Sequence, residues 1–236
     1  MRDRLRGLWA RVLACCFQTR CAGCRAWGSQ AVCDPCADTV PAFPATACPR
    51  CCGSQSPCPL CQATSPLARV YALAPYAGIL RQAVHGLKFE GRPDLADWLG
   101  RRMADSLPPL DPDWVLVPVP LSAERLRERG FNQAEWLARS IQRRRKGCRV
   151  AAHWLSRMRH GPSQVGQGYP ERWRGMSGAF EATADVRGRR ILLVDDVLTT
   201  GATLSAAAEA LSRAGACEVR ALVAGRALMK KAPPHG

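Results

Sequence analysis

Ile191-Leu192-Leu193-Val194-Asp195-Asp196-Val197-Leu198-Thr199-Thr200-Gly201-Ala202-Thr203-Leu204 is the stretch that decides the fold of this chain. Its four consecutive aliphatics, preceded by Arg189-Arg190, read as a strand buried on both faces, the pattern of a parallel sheet. Two acids follow, and a run of small residues then opens a helix expected from Ala202 to Ala214, with Gly215 as its cap. Strand, acidic turn, small-residue loop and helix in that order predict an α/β architecture that binds ligands beyond the carboxyl ends of its strands.

The same design recurs on either side. Trp114-Val115-Leu116-Val117-Pro118-Val119-Pro120 is a short apolar run ending in prolines, which predicts a second buried strand leading to a site loop. Arg125, Arg127 and Arg129 follow, and Gly130-Phe131-Asn132-Gln133 leads into a helix from Ala134 to about Arg145. Upstream, Val70 to Ala74 reads as a strand, Gly78 to Leu87 and Asp94 to Ser106 as helices, and Pro108 to Pro112 as a turn. Glu218 to Val223 supplies a further strand. The fold class expected over residues 67–228 is a doubly wound, mainly parallel α/β sheet.

The loop has its own chemistry. Thr199, Thr200, Gly201, Ala202 and Thr203 are small enough for backbone N–H groups to close around a phosphate at a helix N-terminus, while threonine hydroxyls add hydrogen bonds. The adjacent carboxylates of Asp195 and Asp196 can accept hydrogen bonds from a vicinal diol. Phosphate grip and diol grip on one turn point to a ribose phosphate. An ordinary helix start also favours threonine caps and acids, but four preceding aliphatics and the complete small-residue loop favour a ligand. There is neither a Gly-Lys-Ser/Thr loop nor a set of Rossmann glycines.

A different device organises the other end. Of 13 cysteines, eleven lie within the first 61 residues, and eight form four Cys-x-x-Cys pairs: Cys21 and Cys24, Cys33 and Cys36, Cys48 and Cys51, Cys58 and Cys61. Two such turns complete one tetrahedral zinc site, so eight ligands predict a small double zinc-ribbon module over residues 21–66, holding two structural zinc ions. Few large apolar side chains lie between the pairs, so metal would supply much of the stability. A disulfide knot is the rival in an oxidising compartment. Sequential pairing is simplest and an interleaved one stays open. Cys15, Cys16 and Cys52 fall outside the pairs, and Cys148 and Cys217 are expected to pack in the second domain. With only Trp27 and Phe43 as aromatic candidates, the module reads as a staple more than as a platform for bases.

The net charge of +15 is built from 30 Arg and 4 Lys, which permits a polyanionic partner. Two tetrathiolate zinc sites would lower it to about +11. Residues 1–20 read as a basic helix that Arg11 keeps from resembling a secretory signal, and 229–236 as a tail. No apolar run is long enough to span a membrane, so a cytoplasmic location is expected. His85, His153 and His160 stand in no metal or triad spacing and read as surface or packing residues, and Arg143-Arg144-Arg145-Lys146 as a solvated helix end.

The Ile191–Leu204 stretch resembles the signature of type I phosphoribosyltransferases, and the chain as a whole is similar to the ComF family. That wider resemblance rests on the Cys-x-x-Cys head, HGLKFEGR at His85 to Arg92, VPVPLSAERLRERGFNQA at Val117 to Ala134, GAF at Gly178 to Phe180, and the signature itself. It implies that Asp195 and Asp196 hold ribose hydroxyls and that Thr199 to Thr203 hold the 5-phosphate of phosphoribosyl pyrophosphate. It also implies that the Val119-Pro120-Leu121 turn and Arg125 approach the pyrophosphate, with magnesium. The cellular setting it implies is DNA uptake in natural competence. Before GAF, Gln164 and Arg172 match the family pattern, whereas Gly161, Gln167 and Gly175 replace the expected Thr, Leu and Asn. Because the related segment closes over substrate, the resemblance implies ligand binding more strongly than pentosyl transfer. The alternative is a zinc-stapled adaptor for single-stranded DNA or an uptake protein, without turnover.

Overall fold

In the computed structural model, which describes residues 19–44, 47, 48, 50–53, 61, 66–111, 113–158 and 178–228, the apolar runs become the inner strands of one sheet. The N-terminal part holds β1 (Thr19–Arg20), β2 (Trp27–Gly28) and the short helix α1 (Asp34–Ala37). Then come β3 (Leu67–Pro75), α2 (Gly78–Phe89), α3 (Pro93–Ser106) and β4 (Trp114–Pro118). Next are α4 (Ala123–Arg129), α5 (Gln133–Arg144), β5 (Arg149–Val150), β6 (Leu155–Arg157) and β7 (Phe180–Ala182). The chain continues through β8 (Arg190–Leu198), α6 (Ala202–Arg213) and β9 (Glu218–Arg226). Five strands form a wholly parallel sheet in the order β3-β9-β8-β4-β5.

Strand pleat splits the aliphatics between two cores. Leu116, Leu192, Val194, Leu222 and Ala224 face the layer of α2, α3 and α5. Val115, Val117, Ile191, Leu193, Ala221 and Val223 face α6 and the antiparallel β6–β7 pair. Both layers are buried, which is why β4 reads as an unbroken apolar run.

Differences from the sequence reading concern lengths. β8 continues through Asp195 and Asp196 to Leu198, and β9 runs to Arg226, because the two strands stay in register over that whole length. The arginine-rich segment after β4 is the helix α4, capped by the Ser122 hydroxyl accepting from Arg125 N–H and closed by Gly130 at φ 74. Gly215, at φ 95, ends α6 as expected. Cys148 packs beside the first core, whereas Cys217 is exposed, since it lies in the turn before β9. Residues 1–18, the tail 229–236, Cys58, His160 and the Gly161–Gly175 segment lie outside the described residues.

The two cysteine groups attach to different faces. Cys21, Ala22, Val32 and Ala37 belong to the core beneath α2, whereas Cys51 belongs to the core beneath α6. The first attachment includes a polar clamp: Arg92 Nη2 lies 2.6 Å from Asp94 Oδ2 and donates to Thr19 Oγ1 at 2.9 Å, and Thr19 Oγ1 donates to Asp94 Oδ2 at 3.0 Å. Burial pushes the Asp94 carboxyl up, but the hydrogen bonds from Arg92 and Thr19 outweigh it and hold it below its ordinary 3.8. A carboxyl depressed by folding adds stability above pH 3.8 and loses it as pH falls below that. Asp94→Asn should therefore destabilise by on the order of 1 kcal/mol at pH 7, and the gap from the unaltered chain should close toward pH 3 in urea titrations. A gap of equal size at both pH values would contradict the clamp.

Candidate functional site

From β4 the chain moves outward to β5, and from β8 it moves outward the other way to β9. Neighbouring strands with diverging connections leave a crevice at their carboxyl ends, the usual ligand position in such sheets. The loops after β4 and β8 are the two that the sequence singled out. Val119 N–H donates to Val194 O at 2.9 Å, which seats the Val119-Pro120-Leu121 turn against Asp195. The Asn132 amide holds the same turn by donating to Val119 O at 3.1 Å.

The two acids sit on successive residues of a pleated strand, so they point to opposite faces. Asp196 turns toward α2, is only 3% exposed, and is paired with Lys88, whose Nζ lies 2.8 Å from Oδ1. Asp195 turns toward β6; the cations acting on it are Lys88 and then Arg157, which itself feels Arg125. Burial, then the Asp196 charge, push the Asp195 carboxyl up to about 8, against the pull of the Asp196 N–H, Lys88 and Arg157. Burial and Arg125 pull the Arg157 guanidinium down, and Asp195 holds it up. The strand end thus carries both acids with two cations nearby, Lys88 paired to Asp196 and Arg157 acting electrostatically on Asp195.

In the small-residue loop, Gly201 takes φ 89 immediately before α6, a left-handed conformation that favours glycine. The Thr200 hydroxyl accepts from Ala202 N–H at 3.4 Å, and Gly201 O accepts from Ser205 N–H at 2.9 Å. Arg226, 5% exposed, donates from Nη1 to Leu198 O at 3.2 Å and also to Thr199 O, so a buried guanidinium underpins the loop. Thr199 is exposed, Thr200 and Thr203 half-buried, and Ala202 buried.

Among the described residues, three buried side-chain polar atoms have no partner: Asp196 Oδ2, Ser205 Oγ and Arg226 Nε. All three surround this loop. An unmatched buried polar atom costs about 1–3 kcal/mol, and three at one strand end mark where a polar ligand would be accommodated.

Lys88, Arg157 and Arg226 were not assigned roles from sequence. Lys88 stood inside the HGLKFEGR run, but nothing local to it names a partner on β8. Arg157 and Arg226 are single arginines in a chain holding 30.

The cysteines form two convergent sets. Sγ atoms of Cys21, Cys24, Cys33 and Cys36 lie within 4.8 Å of one another, as do those of Cys48, Cys51 and Cys61. Sulfurs each bound about 2.3 Å from one tetrahedral ion stand about 3.8 Å apart; Cys21–Cys33, Cys24–Cys33 and Cys48–Cys61 are 3.6, 3.7 and 3.6 Å apart. Among the described cysteines pairing is therefore sequential, and Cys52 stands outside the sets. Burial pushes the Cys21 thiol up, but N–H groups of Cys33, Cys24 and Gly23 outweigh it and bring it down to about 6, as suits a metal thiolate. Both sets could hold zinc.

Comparison with known proteins adds the following. Residues 127–234 match the phosphoribosyl transferase domain family. The DNA utilization protein YhgH of Escherichia coli O6:H1 is 33% identical over 205 residues, covering 82% of this chain and 88% of that protein. Competence protein ComFC of Bacillus subtilis is 32% identical over 142 residues, covering 59% of this chain and 56% of that one. The allosteric regulatory enzyme of purine biosynthesis is similar in structure at a TM-score of 0.41 and 20% identity, over 60% of this chain and 30% of that one. No helix among the described residues is long and apolar enough to cross a membrane.

Proposed function

This chain belongs to the ComF family, and from that premise we propose that it binds phosphoribosyl pyrophosphate, with Mg²⁺, at the strand ends of β4 and β8. The observation that carries the proposal is the gathering of all three described orphan polar atoms at one strand end: Asp196 Oδ2 and Ser205 Oγ lie in the Asp195–Ser205 stretch, and Arg226 Nε belongs to the guanidinium that donates to Leu198 O and Thr199 O. The 5-phosphate would rest in the Thr199–Thr203 loop, which Arg226 supports from below. Asp195 and Asp196 would take the ribose hydroxyls. Pyrophosphate would lie toward Pro120, Leu121, Arg125 and Arg157, whose guanidinium charge offsets its own.

The carboxylates of Asp195 and Asp196 are hard oxygen donors on the two faces of the strand end, and Asp196 Oδ2 lacks a protein partner, so either one suits Mg²⁺ shared with ligand oxygens. When bound, the ion would neutralise charge building on a departing pyrophosphate. The cysteine sets would each hold one structural zinc, fixing the N-terminal segment to the sheet domain. Kinship with the competence and DNA utilization proteins supports a role in handling imported DNA.

Thermal shift tests the site. Ligand at roughly 100 times its Kd stabilises by about 2.7 kcal/mol, a rise of about 5–10 °C for a domain of this size. Asp195→Asn with Asp196→Asn should remove most of that rise by weakening binding about 100-fold or more, through two lost charge-assisted contacts. An unchanged Mg²⁺-dependent shift in the double variant would refute the assignment.

A further inference from the structure

A cavity of about 450 Å³ lies away from the phosphate loop, between the first cysteine group and the outer face of α2. Its polar lining is Arg25, Arg81, Gln82, His85, Glu90 and Arg92, and its remaining wall is glycine and alanine. A volume in the range of small-ligand sites with so little apolar surface suits a polar guest. Three guanidinium groups against one carboxylate make the cavity cationic and so favour an anionic guest.

The arginines are not equally committed. Arg92 is held by Asp94 and Thr19 in the clamp described above. Arg25 makes a long 3.8 Å contact with Glu90, both side chains being well exposed. Among the described residues, Arg81 has no ion-pair partner. Two guanidiniums, one from each wall, thus line the cavity without a strong ion-pair partner, and Gln82 and His85 line it on the α2 side.

Two features show a preformed shape. Gly23 lies so close to its neighbours that a Cβ there would fall 2.8 Å from both Cys36 Sγ and Ile79 Cδ1, so the cysteine turn and α2 are locked together. Arg25 occupies φ 64, a conformation glycine adopts more cheaply, and thereby projects from the end of the Cys21–Cys24 turn. Arg25 thus stands where the backbone would favour glycine, at the rim of a cationic cavity.

We propose that this cavity is a second ligand site, separate from the phosphoribosyl pyrophosphate site, for a small molecule of nucleotide size bearing a phosphate group. Phosphate is recognised by the forked donors of Arg25 and Arg81, and a volume of about 450 Å³ matches a single nucleotide better than an extended strand.

The zinc-loaded full chain carrying Asp195→Asn and Asp196→Asn is titrated calorimetrically with adenosine 5′-monophosphate, with adenosine as control and a single-stranded oligonucleotide as competitor. Binding of the monophosphate should persist in this background, and Arg25→Gln with Arg81→Gln should weaken it by about 10- to 100-fold, with zinc content and unfolding midpoint unchanged. Both arginines are exposed, so the fold does not depend on them; the same pair placed in the otherwise unaltered chain should leave the Mg²⁺-dependent phosphoribosyl pyrophosphate shift intact. The proposal is overturned by absence of binding at millimolar monophosphate, by equal binding of adenosine, by indifference to the two arginines, or by an oligonucleotide that outcompetes the monophosphate. Failure here with a retained phosphoribosyl pyrophosphate shift leaves the loop assignment standing, and the reverse holds equally.

Discussion

Lys88→Met should lower the free energy of unfolding by about 3–5 kcal/mol, because it strands a charge at a position where the carboxylate is only 3% exposed. In the native chain Lys88 Nζ lies 2.8 Å from Asp196 Oδ1, with the side chains 20% and 5% exposed, so water screens the pair weakly. Asp196 Oδ2 already lacks a partner, and the substitution would leave both oxygens without one. Removing the second charge should then relieve the first loss: Lys88→Met with Asp196→Asn should recover most of the stability, since burying a neutral amide costs far less than burying a lone carboxylate. Urea unfolding of the four chains gives the coupling energy directly. A loss below about 1 kcal/mol in Lys88→Met, the scale of a screened surface pair, would show that the contact does not hold Asp196.

On the proposal that each cysteine set holds one zinc, Cys21→Ser with Cys24→Ser should reduce bound zinc from two ions per chain to one and destabilise the chain by several kcal/mol, since structural zinc supplies on the order of 10 kcal/mol at neutral pH. The loss should propagate beyond the metal site: Cys21, Ala22, Val32 and Ala37 share a core with Ile79, Leu80 and Ala83 of α2. Altering Cys48 and Cys51 should remove the other ion and loosen a different region, because Cys51 packs with Leu67 and Val70, and Arg50 O accepts from Val70 N–H at 2.9 Å. Metal analysis together with hydrogen exchange checks both. Retention of two ions after loss of Cys21 and Cys24, or exchange changes confined to the same strands for both pairs of variants, would contradict two independent sites.

Much of the fold was legible because its signals are local. Four aliphatics before Asp195 state a strand buried on both faces, and Thr199 to Thr203 state a helix entry with room for a phosphate; each reading needs only the backbone geometry of neighbouring residues. Cys-x-x-Cys spacing is equally local, since one tight turn decides whether two sulfurs converge. The turn after β4 was readable from its prolines, although α4 was not, because its charged face carries no buried residue to set a helical apolar period.

Partners distant along the chain were decided by tertiary structure alone. That Asp196 pairs with Lys88 while Arg157 is near enough to act on Asp195 follows from the pleat of β8 and from which layer covers each face, and no window of sequence contains both members of either pair. Nor could spacing tell that Cys21–Cys24 join Cys33–Cys36, or that the two cysteine groups would settle against opposite faces of one sheet. Arg226 is a further case: among many arginines it alone ends β9 beside Leu198, and the parallel register of β8 with β9 turns it into the support of the Thr199–Thr203 loop. The residue types and local geometry of the site were thus determined by the sequence itself, whereas the charge environment of each group was set by long-range burial, which brings distant side chains into a medium where their charges are felt strongly.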